Sequence, residues 1–342
     1  MAFYQSIKNY KTKREQKWIA KHLVALRKSL YDSIKKDRTP GSLIIGSWNI
    51  RAFDGGVLRE NESYHYIAEI IDNFDICAIQ EVKSDLKPLK RLMKLLGPNW
   101  SYFVTDYNSK DGGNSERMAY VFNTNKVLFR NIIGEIVIPK SQLIAGRQIA
   151  RTPYFASFQA DWFKFTLCSA HIDYSSGMSV REQEIGIISK ILVKRSKDAR
   201  KDTDEVYVLM GDMNLEEADE TIIQEIESLG MTVPLFGPTN QKGNMHYDRM
   251  FFTGNNIKTN FIRQGKFDWR NAVFKHNKTY MKKYRKIAEK KAEKTYTDWE
   301  KENYGPSTYR AWTTYEMSDH LPIWIELKID YSDKYLEDRY LK

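Results

Sequence analysis

Nine short runs rich in Ile, Val, Phe and Tyr recur between residues 43 and 327, and at six places a run meets an Asn, Asp, Glu or His at its end. The runs are Leu43–Asn49, Ile76–Glu81, Tyr102–Thr105, Met118–Phe122, Tyr154–Ala160, Phe163–Ala170, Val206–Met210, Arg249–Phe252 and Ile323–Leu327. Their β-branched and aromatic content suits strands. Stretches with helical spacing lie between them, at 62–73, 86–96, 179–195 and 216–229; in the third, Ile187, Ile188, Ile191 and Leu192 share one face. More strands than helices predicts stacked sheets covered by helices.

The polar residues at the run ends carry the chemistry. Asn49 closes the first run and Glu81 the second, and His171 follows Phe165–Ala170. Asp212 and Asn214 follow Val206–Met210, Asp248 precedes Arg249–Phe252, and Asp319 and His320 precede the last run. A carboxylate beside a core is costly unless paired or metal-bound, so this repeated placement predicts one shared site. The residue types fit phosphodiester hydrolysis, which needs neutralised non-bridging oxygens, an activated water and a stabilised leaving oxygen. Glu81, Asp212, Asn214 and Asp319 are hard oxygen ligands suited to Mg²⁺, Mn²⁺ or Ca²⁺. Zinc fits less well, because the set lacks cysteine and is sparse in histidine. His320 and His171 can act as base and acid, with Asp248 and Glu116 orienting them and favouring their charged forms. The other histidines, His22, His65, His246 and His276, are expected at the surface.

The formal net charge of +10 is unevenly spread: residues 1–40 sum to +8, residues 275–304 to +5, and the remainder to about −3. Clustered cations suit a polyanionic partner or are simply solvated helix faces. Residues 5–37 read as one amphipathic helix with Ile19, Leu23, Leu26, Leu30 and Ile34 in a stripe, ended by Thr39-Pro40-Gly41. The stripe is expected to pack on the body of the protein or on a protein partner. Residues 275–304 read as an inserted basic helix whose Tyr280, Tyr284, Tyr296 and Trp299 either stack on bases or pack the helix down. The expected organisation is therefore a basic helix over 1–40, one catalytic domain over 42–330 carrying the insert, and a tail over 331–342.

With 42% hydrophobic residues in 342, the chain can bury a large core. It has no apolar stretch of membrane-spanning length, and its first residues lead into lysines and arginines without the apolar region of a secretory signal. Cys77 and Cys168 sit inside apolar runs and are expected as buried free thiols. A cytoplasmic location follows as the expectation.

The motifs resemble those of the endonuclease/exonuclease/phosphatase superfamily, and most of all its deoxyribonuclease-I-like branch, from about Ser42 to Leu327. The landmarks occur in order: Trp48-Asn49-Ile50-Arg51, Gln80-Glu81-Val82, Ser115-Glu116-Arg117, Arg151-Thr152-Pro153, Ala170-His171, Gly211-Asp212-Met213-Asn214, Tyr247-Asp248-Arg249 and Ser318-Asp319-His320-Leu321-Pro322. Each alone is short enough to arise by chance; the ordered set is specific. The resemblance implies a four-layer α/β sandwich of two packed mixed β-sheets flanked by helices. It implies Glu81 as principal metal ligand supported by Asn49, with Asp212, Asn214 and Asp319 completing the metal and phosphate site. It pairs His171 with Glu116 and His320 with Asp248, and places Arg151 on phosphate, with Asn214, Lys83 and Arg51 as further substrate contacts. Two features depart from the pattern: Lys83 stands where a groove-reading arginine is usual, and the segment before Glu116 is short and lacks a sugar-stacking tyrosine. Lysine keeps the charge and loses the planar fork, which weakens the case for duplex DNA.

Together these readings predict an Mg²⁺- or Mn²⁺-dependent nuclease acting on DNA or RNA. The alternatives are a phosphatase or phosphodiesterase of the same fold acting on inositol phosphates or phospholipid head groups, and a catalytically silent nucleic-acid-binding module.

Overall fold

The computed structural model describes residues 2–53, 59–106, 116–144, 146–199, 205–217, 221–254, 260–293, 295 and 305–341. Strand β1 (Ser42–Phe53) sets the layering. Its side chains alternate between faces, and both faces are buried: Leu43 and Ile45 enter one apolar cluster and Ile44 another. Such a strand must lie between two layers. β1 pairs parallel with β2 (Ile76–Lys83) and antiparallel with β11 (Ile323–Lys328). Outside these lie β3 (Trp100–Val104), β4 (Glu116–Asn123) and β10 (Phe261–Lys266), giving a six-stranded sheet in the order β10-β11-β1-β2-β4-β3. The second sheet runs in chain order through β5 (Leu128–Glu135), β6 (Tyr154–Ala160), β7 (Phe163–His171), β8 (Val206–Asp212) and β9 (Asp248–Thr253). Only its β7–β8 pair is parallel.

The sheets face each other across Leu43, Ile45, Tyr120 and Phe122 on one side and Phe158, Phe165, Val208 and Phe252 on the other. Two polar ties cross this interior. Gln80 Nε2 donates to Ser169 Oγ at 2.9 Å, and the Tyr120 hydroxyl donates to the carbonyl of Tyr154 at 2.7 Å while accepting from the Ser169 amide at 2.8 Å. Helices α1 (Lys13–Leu30), α2 (Asn61–Ile71) and α3 (Lys87–Leu96), with α6 (Lys278–Lys291) and α7 (Gly305–Glu316), cover the outer face of the six-stranded sheet. α4 (Met178–Ala199) and α5 (Thr221–Ser228) cover the other. The result is the four-layer sandwich that the sequence implies. A short helix, α8 (Ser332–Leu336), lies in the C-terminal tail. Among the described residues no helix is long and apolar enough to cross a membrane.

All nine expected strands are present. Two more were not legible, and both are sheet edges: β5 and β10 are largely half-buried or exposed, so no apolar run marks them. The expected helix over 5–37 is broken. A 3-10 turn over Gln5–Asn9 ends at Tyr10, and α1 starts afresh behind Thr12, whose side chain accepts from the Glu15 amide while Glu15 reaches back to Thr12 in a capping box. The apolar stripe of this helix is buried on the body of the protein. The helix expected over 216–229 is seen at Thr221–Ser228, and 218–220 lie outside the described residues. Cys77 and Cys168 are free and buried.

Two surface assignments are corrected. His22 and His65 are buried because α1 and α2 pack against the sheet and each other; His65 meets Ser6 Oγ at 3.1 Å, and burial drives its pKa down to about 4. His246 is half-buried, and His276 is exposed. In α6, Tyr280 and Tyr284 face inward, so they pack the helix down and do not present rings to a base. Tyr284 accepts from Trp18 Nε1 at 3.0 Å and donates to Glu62 at 2.9 Å. Tyr296 and Trp299 lie outside the described residues.

Candidate active site

Strand register explains why residues far apart in sequence meet. In the five-stranded sheet His171, Asp212 and Asp248 are direct partners across β7, β8 and β9. In the six-stranded sheet Asn49 pairs with Gln80, the neighbour of Glu81, and Lys83 pairs with Glu116. The two sets touch where Asn49 Nδ2 donates to Asp212 Oδ2 at 2.9 Å. His320 is tied to β1 at this end: Trp48 Nε1 donates to its carbonyl at 3.0 Å, and Ser318 Oγ donates to the Asn49 carbonyl at 2.6 Å.

Asp212 is the centre. Its Oδ2 lies 3.5 Å from His171 Nε2 and 3.6 Å from His320 Nε2. The opposite nitrogen of each ring meets an acid: His171 Nδ1 is 3.1 Å from Glu116 Oε2, and His320 Nδ1 is 2.8 Å from Asp248 Oδ2. Thr239 Oγ1 donates to the same Asp248 oxygen at 2.6 Å. Glu116 also meets Lys83 Nζ at 2.9 Å and Arg151 Nε at 3.0 Å, and Arg151 Nη1 lies 3.8 Å from Asp173.

The backbone is strained to aim these groups. Glu81 has φ +60°, Ala52 +42° and Asn214 +53°, a region that non-glycine residues seldom enter. The Ala52 amide, so turned, donates to Glu81 Oε2 at 2.7 Å. Gly211 has φ +134°, and a Cβ there would lie 2.0 Å from the Ala170 carbonyl oxygen, so only glycine can precede Asp212. Past that turn the Asn214 amide donates to Asp212 Oδ1 at 3.0 Å, and Asn214 Nδ2 to the Ile172 carbonyl at 2.7 Å.

The electrostatics follow the geometry. Burial works against charge on His320, but Asp248, Asp212 and Asp319 outweigh it and raise its pKa well above the ordinary histidine value. Burial raises Asp212, with His320 and His171 opposing. Glu116 is also penalised by burial, yet His171, Arg151 and Lys83 bring it down to about 2. Glu81 is lowered as well: His171 and the bonds from Ala52 and Asn49 exceed its burial cost.

The structure thus brings together Asn49, Glu81, Glu116, His171, Asp212, Asp248 and His320, with Lys83 and Arg151 beside them. Arg51 stacks 4.0 Å above the Tyr315 ring, bonds Thr314 at 2.6 Å and lies 3.5 Å from Asp319. The expected five-residue ligand set divides. Asp212 and Asn214 belong to the histidine centre, and among the described residues no three His, Cys, Asp or Glu side chains gather to hold one ion. Asn49 Oδ1 and Asp319 Oδ1 are buried and accept no hydrogen bond among the described residues. An unpaired amide oxygen on Asn49, whose side chain also bonds Glu81, is what a hard cation requires, so these donors fit one. Sequence reasoning missed Thr239 and Asp173. Asp173 lies two residues past His171 and could have been flagged as another polar group at the same strand end; nothing in the sequence marks Thr239.

The sequence profile of the Endonuclease/Exonuclease/phosphatase family matches residues 46–265. A search of curated proteins returned no match. Among solved structures, an endonuclease/exonuclease/phosphatase family protein from Bacteroides thetaiotaomicron superposes with a TM-score of 0.53 at 18% identity, covering 85% of this chain and 99% of that one. A mannosyl-6-phosphatase from the same organism gives 0.52 at 18%, covering 84% and 99%. D. rerio TDP2 complexed with a single-strand DNA product gives 0.50 at 16%, covering 84% and 98%. Identities this low show a shared fold.

Proposed function

The chain belongs to the Endonuclease/Exonuclease/phosphatase family, and from that premise we propose that it is a metal-dependent nuclease that hydrolyses phosphodiester bonds of DNA or RNA. Members of the family are hydrolases, nucleases and phosphatases among them, so the fold leaves the substrate open. The observation that carries the catalytic reading is the convergence of two acid-backed histidines on Asp212 Oδ2, at 3.5 and 3.6 Å. Two proton carriers aimed at one carboxylate suit a reaction that removes a proton from water and returns one to a leaving oxygen.

Glu81, Asn49 and Asp319 would hold an Mg²⁺ or Mn²⁺ ion. Once bound, it would neutralise charge on the non-bridging phosphate oxygens. The protein's own groups do the rest. Arg151 and Lys83, both within reach of Glu116, can turn to a phosphate oxygen as it enters. Asp248, Asp212 and Asp319 favour the charged form of His320, and a charged imidazole donates a proton. We therefore assign His320 as a donor to a phosphoryl oxygen, in place of the base expected from sequence. Asp212, made more basic by burial, takes the water proton. His171, between Asp212 and Glu116, passes that proton to the leaving oxygen, while His320 donates a hydrogen bond to a phosphoryl oxygen.

Charge supports a polyanionic substrate. α1 and α6 touch through Trp18 and Tyr284, and both carry exposed lysines, Lys17 and Lys21 on one and Lys282 and Lys286 on the other. The test is incubation with plasmid, single-stranded DNA, RNA and an inositol phosphate, in Mg²⁺, Mn²⁺ or EDTA. Metal-dependent strand cleavage is expected. Brisk release of inorganic phosphate with every nucleic acid left intact would overturn the reading in favour of a phosphatase, and tight binding without cleavage would favour a silent binding module.

A further inference from the structure

Tyr174 is exposed at 52%, yet it is fixed in place from several sides. It opens a 3-10 turn, Tyr174–Ser176, three residues beyond His171. Asp173 pins that turn: its carboxylate accepts from the Ser175 amide at 3.3 Å and the Ser175 hydroxyl at 2.7 Å, and its carbonyl accepts from Ser176 Oγ at 2.7 Å. The Arg181 guanidinium lies 4.7 Å from the Tyr174 ring centre. Arg181 is itself buried and anchored, donating to the Asn214 carbonyl and, at 3.2 Å, to Glu216. Tyr247 meets the Tyr174 ring at 6.0 Å and 75°, and lies 5.7 Å from the His320 ring at 34°. Tyr174, Tyr247 and His320 therefore form a continuous line of rings from the surface to the catalytic centre.

An exposed ring gains little for folding, and ordering it costs conformational freedom. A fixed, exposed ring that reaches His320 through Tyr247 and follows His171 by three residues instead suits a flat partner. We propose that Tyr174 is a stacking platform for a nucleobase adjoining the scissile phosphate, and that the substrate is consequently single-stranded nucleic acid or an unpaired end. Every base has a π-face, so such a platform accepts many sequences, and the Arg181 cation against the ring strengthens it. In a duplex both faces of each base are already stacked, and freeing one costs unstacking and unpairing. The inference rests on the nuclease reading and adds the strandedness that Lys83 alone leaves open.

The test uses the full chain with Mg²⁺ and two end-labelled strands of equal length, oligo-dT and the same strand with every base replaced by an abasic tetrahydrofuran. The wild type should cleave the base-bearing strand faster. Tyr174→Ala should lower that ratio by about tenfold, while Tyr174→Phe and Tyr174→Trp should keep it, which separates stacking from any structural role of the hydroxyl. Competition by annealed duplex should be weaker than by oligo-dT. Equal cleavage of both strands by the wild type, or an unchanged ratio in Tyr174→Ala, would overturn the inference and leave the nuclease reading standing. Failure of the wild type to cleave either strand, or oligo-U of the same length, would overturn both.

Discussion

The histidines on either side of Asp212 look alike in sequence, each a His with an acid, but their surroundings differ. Asp248 meets His320 and one hydroxyl, that of Thr239, in a buried setting. Glu116 meets His171 and two cations, Lys83 and Arg151, at the half-buried edge of the site. The first is a dedicated pair that fixes one charge. The second is a shared carboxylate that also holds Lys83 and Arg151, the two groups we propose turn from it to a phosphate. Two histidines, each backed by a carboxylate, thus sit in different company, and we propose that the neighbours divide proton handling from substrate capture.

Breaking the dedicated pair should have the largest effect. His320→Ala or Asp248→Asn should slow cleavage about 10²–10⁴-fold in single-turnover assays. Glu116→Gln should cost less, about tenfold, with much of the loss appearing in KM because Lys83 and Arg151 lose their anchor. Equal losses in kcat for the two acids would erase the distinction.

Stability should separate them by pH. Glu116 sits at about 2, below its ordinary 4.5, so its stabilisation is present above about 4.5 and lost as pH falls toward 2. That loss should be roughly 2–3 kcal/mol in the denaturation midpoint series, and absent in Glu116→Gln. His320 has the opposite sign: its pKa is raised, so its contribution is complete below the ordinary histidine value and lost as pH rises through the folded value. His320→Gln should flatten that alkaline limb. The smallest effect belongs to Thr239→Val, which removes one neutral donor to Asp248 and should cost about 1 kcal/mol.

Much of the frame could be read from residue order. Interior strands advertise themselves because both faces are buried, and the polar residues that end them stand out against the apolar runs. β5 and β10 could not be read this way, since Arg130 and Asn131 in one and Arg263 and Gln264 in the other interrupt their apolar residues. Of the site, the residues on strand ends and the pairing of His171 with Glu116 and His320 with Asp248 were visible; the contacts around those pairs were not. Thr239 reaches Asp248 from a loop, and Tyr174 gains its meaning only from Arg181 and Tyr247 around it. His22 and His65 misled for a related reason: polar residues on helices look exposed until the layer that covers them is known. That Asp248 favours the charged form of His320 was legible; that Asp212 adds to it was not, because Asp212 comes from another strand end.

The most direct measurement is cleavage of a 5′-labelled single-stranded oligonucleotide by the wild type and by Asp212→Asn, each with Mg²⁺ and with excess EDTA. Metal-dependent cleavage by the wild type, reduced at least about 10²-fold in Asp212→Asn and abolished by EDTA, is the predicted result. Cleavage by Asp212→Asn at the wild-type rate, or wild-type cleavage indifferent to EDTA, would contradict an Asp212-centred, metal-dependent site.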